Sequence, residues 1–401
     1  MGKKKRSKKK TKKTGSSTTR SACATAAAAD DIDKQCEMRL AEINALEKKM
    51  AGKKLRFAIG DRVECKMHVQ DDDMMEDMDL DLSLTELLRQ MAMGEGPFEM
   101  TYKPGTVVQL WYPRNKGEVY PYQIRLDEDN SLIYASEDED SCIRRSNAPL
   151  PVQNPRDMLL FKQPPAREDC PICFLSLPLH MSKQTKYFSC CGKVICAGCV
   201  VAAQDAGVAG VNGVCPFCRA PWTQISNSKA EFTRRTEEGI KRGDPEAMEM
   251  ACLELCENGN EEEKKRGNEL LQKAANLGLC SANYRLGCAY LGLLCGCDNF
   301  GVEKDPDKGM SHMEAAAIAG HGGARYNIGW KYCNDSSTGL GAKHLMIGAK
   351  SGYKDCMDAI KKMFANDCVT KTEFEETLRA YQKSLDELKS EQRDKAALIY
   401  A

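Results

Sequence analysis

The stretch "YFSCCGKVICAGC", residues 187–199, puts four cysteines into ten positions, and two of them, Cys190 and Cys191, are adjacent. It lies inside a longer block that also holds three C-x-x-C pairs: Cys170/Cys173, Cys196/Cys199 and Cys215/Cys218. This block constrains the chain more than any other feature. A polar segment of roughly fifty residues cannot bury enough apolar surface to fold alone. Eight thiolates are two tetrahedral zinc sites, since a C-x-x-C turn brings two sulfurs to one ion at about 2.3 Å each. Structural zinc contributes on the order of 10–16 kcal/mol, which replaces the missing core. A redox pair is the competing reading of one C-x-x-C, but three of them without a βαβ context argue against it. A buried apolar patch would not space its cysteines in pairs.

The formal net charge is zero, yet charge is segregated. "MGKKKRSKKKTKKTGSSTTR" at the start is basic, whereas "DDDMMEDMDLD" at 71–81 and "EDED" at 137–140 are acidic. The start lacks the apolar run of a signal peptide, and no stretch is long and apolar enough to span a membrane. The 21 cysteines are therefore expected in a reducing compartment, nucleus or cytoplasm, as thiols or metal ligands. Residues 1–30 are low-complexity and expected to be a disordered basic tail. The lysines read as an import signal, as a nucleic-acid or anionic-surface patch, or as a solvated tail. No aromatic residue is interleaved with them, so base stacking is not expected; if nucleic acid is a partner, it is through this tail only.

Residues 31–54 read as a short helix, with Ile32, Cys36, Leu40, Ile43, Leu46 and Met50 on one stripe that Arg39 interrupts. From 55 to 146 the period changes to two. "RFAIGDRVEC", "PGTVVQLWYP", "YPYQIRL" and "SLIYA" read as strands, with Val108, Leu110 and Tyr112 alternating, and likewise Tyr122, Ile124 and Leu126. These short strands suggest a small twisted barrel. An acidic insert at 69–100, with a candidate helix "SLTELLRQMAM", loops out between the first two. Residues 147–166 are a proline-rich linker.

Helical sequence at 232–365 repeats. "KAANLGLCSANYRLG" lies over "AAAIAGHGGARYNIG", so that Gly278, Ala282 and Gly287 meet Gly320, Ala324 and Gly329 at an offset of 42. A further copy puts Gly352 under Gly320, and a worn first copy puts Ala247 under Ala282. The small residues let paired helices approach, and glycine ends one helix before the next turn. An amphipathic C-terminal helix at 366–401 is expected to cap the array.

Three resemblances follow from these residues. "GDRVEC…PGTVVQLWY…PYQIRLD" looks like a small barrel of Tudor or Src-homology-three type, of a kind found beside zinc fingers in algal and protist proteins. "YRLGCAYLG" with "GVEKDPDKGMSHMEAAAIAGHGGARYNIGWKY" resembles the Sel-one-like repeat, a relative of the tetratricopeptide repeat whose stacked helices bind proteins. The cysteine block, residues 167–224, resembles the RING finger in its all-cysteine form. The implied fold is multidomain: a small β-barrel, a cross-braced RING finger with two zinc ions, and an all-α helical solenoid.

The RING resemblance interleaves the ligands. Cys170, Cys173, Cys196 and Cys199 would hold one zinc, and Cys190, Cys191, Cys215 and Cys218 the other. Lys193 occupies the position where the family commonly has histidine, and an ammonium has no lone pair to give. The adjacent cysteines restore the ligand count, with His180 the runner-up. The resemblance implies a ubiquitin-protein ligase with no catalytic residue of its own, which orients a charged conjugating enzyme. Ile172, Pro216 and Arg219 match its contact surface; alone, each also reads as packing, stiffening or a solvated cation. The repeats would hold a protein substrate or scaffold.

Two other readings stand beside it. One is a zinc-dependent interaction protein without ligase activity. The other is a chromatin or RNA reader, with Trp111, Tyr112, Tyr120 and Tyr122 either lining a cage or packing between strands. The repeat cysteines Cys252, Cys280, Cys288, Cys333 and Cys356 read as small packing residues, and Cys295 and Cys297 as a weak metal signal. His312 and His321 read as surface residues.

Overall fold

The computed structural model describes residues 18–66, 101–113, 118–151, 154–178, 184–207, 214–221, 229–293 and 302–400. The lysine tail, the acidic insert with its candidate helix, His180, Cys295 and Cys297 lie outside the described residues.

Helix α1 spans Thr18–Met50 and so begins inside the stretch expected to be disordered. The run Ala26–Ala29 accounts for the extension, because alanine loses least on entering a helix. Nor is α1 an isolated surface helix. Cys36 and Ile43 are buried in a core shared with Tyr112 and with the C-terminal helices. Arg39, which interrupts the apolar stripe, is itself buried there. It holds both carboxylate oxygens of Asp367 at 2.9 and 3.0 Å and also donates to the Pro113 carbonyl. Tyr112 gives its hydroxyl hydrogen to the same carboxylate.

The strands are β1 Arg62–Lys66, β2 Tyr102–Pro113, β3 Val119–Leu126, β4 Leu132–Ala135 and β5 Ile143–Arg145. They form one antiparallel sheet in the order β4-β3-β2-β1-β5. Tyr122, Ile124 and Leu126 face the core as their alternation implies. The alternation expected for Val108, Leu110 and Tyr112 does not hold. Gly105, Val107 and Gln109 are the buried set, and the parity flips before Tyr112. A register irregularity lies between Val107 and Gln109, and Trp111 takes a positive φ of 54°. Such a bulge re-aims the side chains beyond it.

Of the two readings of the aromatic residues, packing between strands fits Tyr112 and Tyr122, which are fully buried. Tyr122 donates to Asp138 and accepts from the Phe57 amide, and the Tyr112 ring packs 5.2 Å from that of Tyr134. Both are strand packing.

The proline-rich linker contains a short helix, α2 Pro155–Leu160, capped by Asn154. The cysteine block supplies a hairpin, β6 Thr185–Phe188 and β7 Lys193–Cys196, followed by α3 Ala197–Asp205. The remaining helices are α4 Lys229–Lys241, α5 Pro245–Asn258, α6 Glu261–Asn276, α7 Cys280–Leu291, α8 Pro306–Ile318, α9 Gly322–Asn334, α10 Thr338–Lys350, α11 Lys354–Ala365, α12 Lys371–Asp386 and α13 Glu391–Ile399.

These helices repeat as the glycines do. Gly278, Gly320 and Gly352 close α6, α8 and α10 with φ of +91°, +98° and +84°. Gly287 and Gly329 mark the helix contacts. A Cβ at Gly287 would lie 2.8 Å from Met313 and 3.2 Å from the Gly309 carbonyl. One at Gly329 would lie 2.8 Å from Leu345 and 3.2 Å from the Gly341 carbonyl. The same close approach therefore recurs in successive pairs, and Ala247, Ala282 and Ala324 are buried at matching places. The array is a set of helical repeats. The C-terminal segment is two helices rather than the single cap expected, because Ser390 caps a new one by accepting from the Arg393 amide. No helix among the described residues is long and apolar enough to cross a membrane.

Candidate metal centre

The first and third cysteine pairs build the same local structure. In "CPICF" the Phe174 amide donates to the Cys170 carbonyl and the Cys170 amide to the Leu175 carbonyl, both at 2.9 Å. In "CPFCR" the Arg219 amide donates to Cys215 at 3.0 Å and the Cys215 amide to Ala220 at 2.7 Å. Phe174 and Arg219, each just after the second cysteine, take left-handed φ of 57° and 64°. Both segments read C-P-x-C, so Pro171 and Pro216 signal this equivalence in the sequence.

The adjacent Cys190 and Cys191 sit in the turn of the β6–β7 hairpin. Gly192, with φ of +64°, absorbs the tight backbone there, while the amides of Cys191 and Gly192 both donate to Phe188. A hairpin turn thus accommodates two neighbouring thiols. Cys196 and Cys199 open α3, where the Cys196 sulfur caps the helix by accepting from the Cys199 amide at 3.5 Å.

These turns gather eight sulfurs into two groups: Cys170, Cys173, Cys196 and Cys199, and Cys190, Cys191, Cys215 and Cys218. Within each group every sulfur lies within 4.8 Å of the others. Four sulfurs at about 2.3 Å from a tetrahedral centre stand about 3.8 Å apart. Here Cys170–Cys199 measures 3.9 Å, Cys173–Cys196 3.8 Å, Cys191–Cys215 3.9 Å and Cys190–Cys218 3.4 Å. Each group could hold one metal ion, and the geometry is compatible with zinc. Without a cation the crowded thiols cannot all ionise. Hydrogen bonds from Cys196 and Cys199 hold Cys170 far below the ordinary thiol range, and the reciprocal interactions push Cys199 far above it. Lys193 is exposed at the start of β7.

The surroundings reach across the chain. Arg393 of α13 donates to the carbonyls of Ser176 and Leu175 at 2.8 and 3.1 Å and lies 3.7 Å from the Cys173 sulfur. A cation there would offset the excess negative charge of four thiolates on one ion. Ala396 completes a small apolar cluster with Ala197 and Val201. Gly198 has no room for a side chain, since a Cβ would lie 2.8 Å from the Arg393 amide nitrogen. On the other side, Tyr187 donates to Asp244 at 2.6 Å, which joins the hairpin to the start of α5. No local sequence signal marks Arg393 as a neighbour of Cys173.

That junction carries a titrating acid. Burial, and then Asp244 and Glu168, raise the Glu246 carboxyl from 4.5 to about 7. Between those values the folded chain keeps a proton that the unfolded chain releases, so this group's contribution to stability falls as pH rises through the window. Glu246→Gln is expected to unfold like wild type near pH 5 and to be more stable near pH 8, by about 1–2 kcal/mol. Thermal melts of both proteins at the two pH values check this; equal melts at pH 8 would remove the buried-acid account.

Ile172 is 36% exposed, Arg219 is exposed and Pro216 is half-buried. Phe174 and Phe217 add exposed rings on the same two turns, at 77% and 44%. Of the other cysteines, Cys252, Cys288 and Cys356 are buried packing residues, while Cys280 and Cys333 are half-buried. His321 caps α9 by accepting from the Ala324 amide, and His312 hydrogen-bonds Asn283. Both histidines hold structure.

No family model matches the sequence, and no curated protein matches it. Among solved structures the chain is similar to a protective antigen of uropathogenic Escherichia coli strains that displays an SLR fold, with 20% identity and a TM-score of 0.29. The match covers 43% of this chain and spans about 37% of the antigen's length.

Proposed function

We propose that the chain is a RING-type zinc protein that acts as a ubiquitin-protein ligase, with a zinc ion in each of the two cysteine groups. The interleaving of the groups carries this reading. The first and second C-x-x-C pairs share one centre, and the hairpin cysteines share the other with the third pair. Such a module performs no chemistry itself; it holds a charged conjugating enzyme in a reactive pose. Ile172, Pro216 and Arg219 are the proposed contact, with Arg219 offering a planar, permanently charged donor array. Phe174 and Phe217 extend the apolar part of that surface. The helical repeats, read as Sel-one-like, would bind a protein substrate or scaffold, and the sheet, read as Tudor-like, a further partner.

An assay of the zinc-loaded full chain with ubiquitin, activating enzyme and a panel of conjugating enzymes tests this. Wild type is expected to form chains, and Arg219→Ala to slow them about ten- to a hundredfold. If protein carrying both ions forms none across the panel, the second reading takes over: a zinc-dependent interaction scaffold. The observation favouring that one is that the finger is built into the rest of the chain, through Tyr187 and Asp244 on one side and Arg393 on the other.

A further inference from the structure

The linker between the sheet and the finger is not free. It runs along the repeats as a bound peptide would. Arg156 pairs with Glu314 of α8 at 2.6 Å. The Leu160 carbonyl accepts from Arg325 of α9 at 2.6 Å. The Phe161 ring lies 4.8 Å from that of His344 on α10, and the Lys343 ammonium 5.5 Å from the Phe161 ring. A Cβ at Gly320 would lie 3.4 Å from Pro164, and Arg167 donates to the Ser351 carbonyl at 2.6 Å and to Ser384. These grip points fall on four helix termini or faces in succession, α8 to α10 and then α12.

One grip point is poorly matched. Arg325 is 2% exposed and His344 is fully buried. Arg325 donates through one nitrogen, to Leu160 and to Nδ1 of His344 at 3.3 Å. Its Nε and its other terminal nitrogen have no partner among the described residues, and neither has Nε2 of His344. A guanidinium can only donate, so His344 accepts at Nδ1 and carries its proton at Nε2. Burial and the Arg325 charge push His344 down to about 3, which keeps the ring neutral. The pair therefore holds three buried donors without acceptors, beside a buried cation that no carboxylate faces among the described residues. An unpaired buried donor or charge is costly, and a carboxylate, which can take two parallel bonds from one guanidinium, is the group that suits Arg325.

We propose that residues 154–167 occupy a peptide groove of the repeats in cis, and that a partner protein segment presenting a carboxylate where the Leu160 carbonyl lies displaces them. The covalent tether gives the linker a high effective concentration, so it holds the groove despite its neutral carbonyl. A competitor overcomes the tether by a bidentate charged contact that the linker lacks. This deepens the reading of the repeats as the protein-binding part and does not depend on the finger's activity.

Fluorescence anisotropy on the full chain tests it, with labelled peptides of residues 150–160. One ends in the free carboxylate of Leu160 and the other in its amide. The acid is expected to bind wild type at least about tenfold more tightly than the amide. Leu160→Ser combined with Phe161→Ser, which weakens the cis contact, is expected to bind both peptides about tenfold more tightly than wild type does. Hydrogen exchange of α9 and α10 confirms that the double variant keeps its repeats. Acid and amide peptides binding wild type alike, or no binding of either, would overturn the proposal. So would a folded double variant that binds no better than wild type. Failure of the ubiquitylation assay with success here would leave the groove standing without the ligase.

Discussion

If each cysteine group holds the zinc proposed for it, replacing Cys191 with serine lowers the zinc carried by the purified chain from two ions to one. Cys190→Ser is expected to do the same, and Cys173→Ser to empty the other centre. Each structural zinc contributes on the order of 10–16 kcal/mol to a small domain, more than the net stability of most domains. Loss of one ion is therefore expected to melt the hairpin and its neighbouring turn rather than to loosen them. Zinc released on thiol blocking, read with a colorimetric chelator, gives the stoichiometry, and hydrogen exchange over 184–207 gives the melting. The two adjacent cysteines are the sharpest case. If His180 were a ligand, one of Cys190 and Cys191 would be dispensable, and its serine variant would still release two ions. That result would redraw the second centre.

The second large effect is expected far from the cysteines. Arg39 is buried and holds Asp367 through both oxygens, with Tyr112 on the same carboxylate. Cutting one partner from a buried pair leaves an uncompensated charge and typically costs about 3–5 kcal/mol. Arg39→Met is expected to lose that much in a denaturant melt and to free α1 from the sheet and the C-terminal helices. Asp367→Asn is expected to cost less than Arg39→Met, since Arg39 keeps its 2.6 Å pair with Glu42. The double variant, with neither charge, should recover a good part of it, because the penalty lies in the orphaned ion. A purely additive double-mutant cycle would show that the pair is not coupled.

The legible and illegible parts of this chain divide by range. Two sulfurs three residues apart turn toward one point by local geometry alone, so the C-x-x-C pairs announce themselves. The repeat is readable for a related reason: Gly278 and Gly320 perform the same local task. The pairing of one cysteine turn with another came from a family likeness, not from spacing. What was not legible is mostly docking between distant segments. Arg39 looks like a break in an apolar stripe, because a buried ion and an exposed one are the same letter. Arg393 has nothing near it in sequence that speaks of Cys173. Nor does the proline-rich stretch at 154–167 show by its composition that it lies along helices. The bulge in β2 is a lesser case. The parity of the inward face flips between Gln109 and Tyr112, where Trp111 is left-handed, and tryptophan does not advertise that conformation.

Arg39 and Asp367 stand 328 positions apart in the chain. Ribosomes add about 5–20 residues per second, so roughly 15–65 s separate the synthesis of the arginine from that of its carboxylate partner. Throughout that interval Cys36, Ile43 and the guanidinium of α1 have emerged, while the helices that bury them have not. Helix α1 is thus made well before the carboxylate that holds it. A nascent chain of this protein carries a half-apolar, cation-bearing helix through that interval, and that helix is a long-lived target for a holding chaperone.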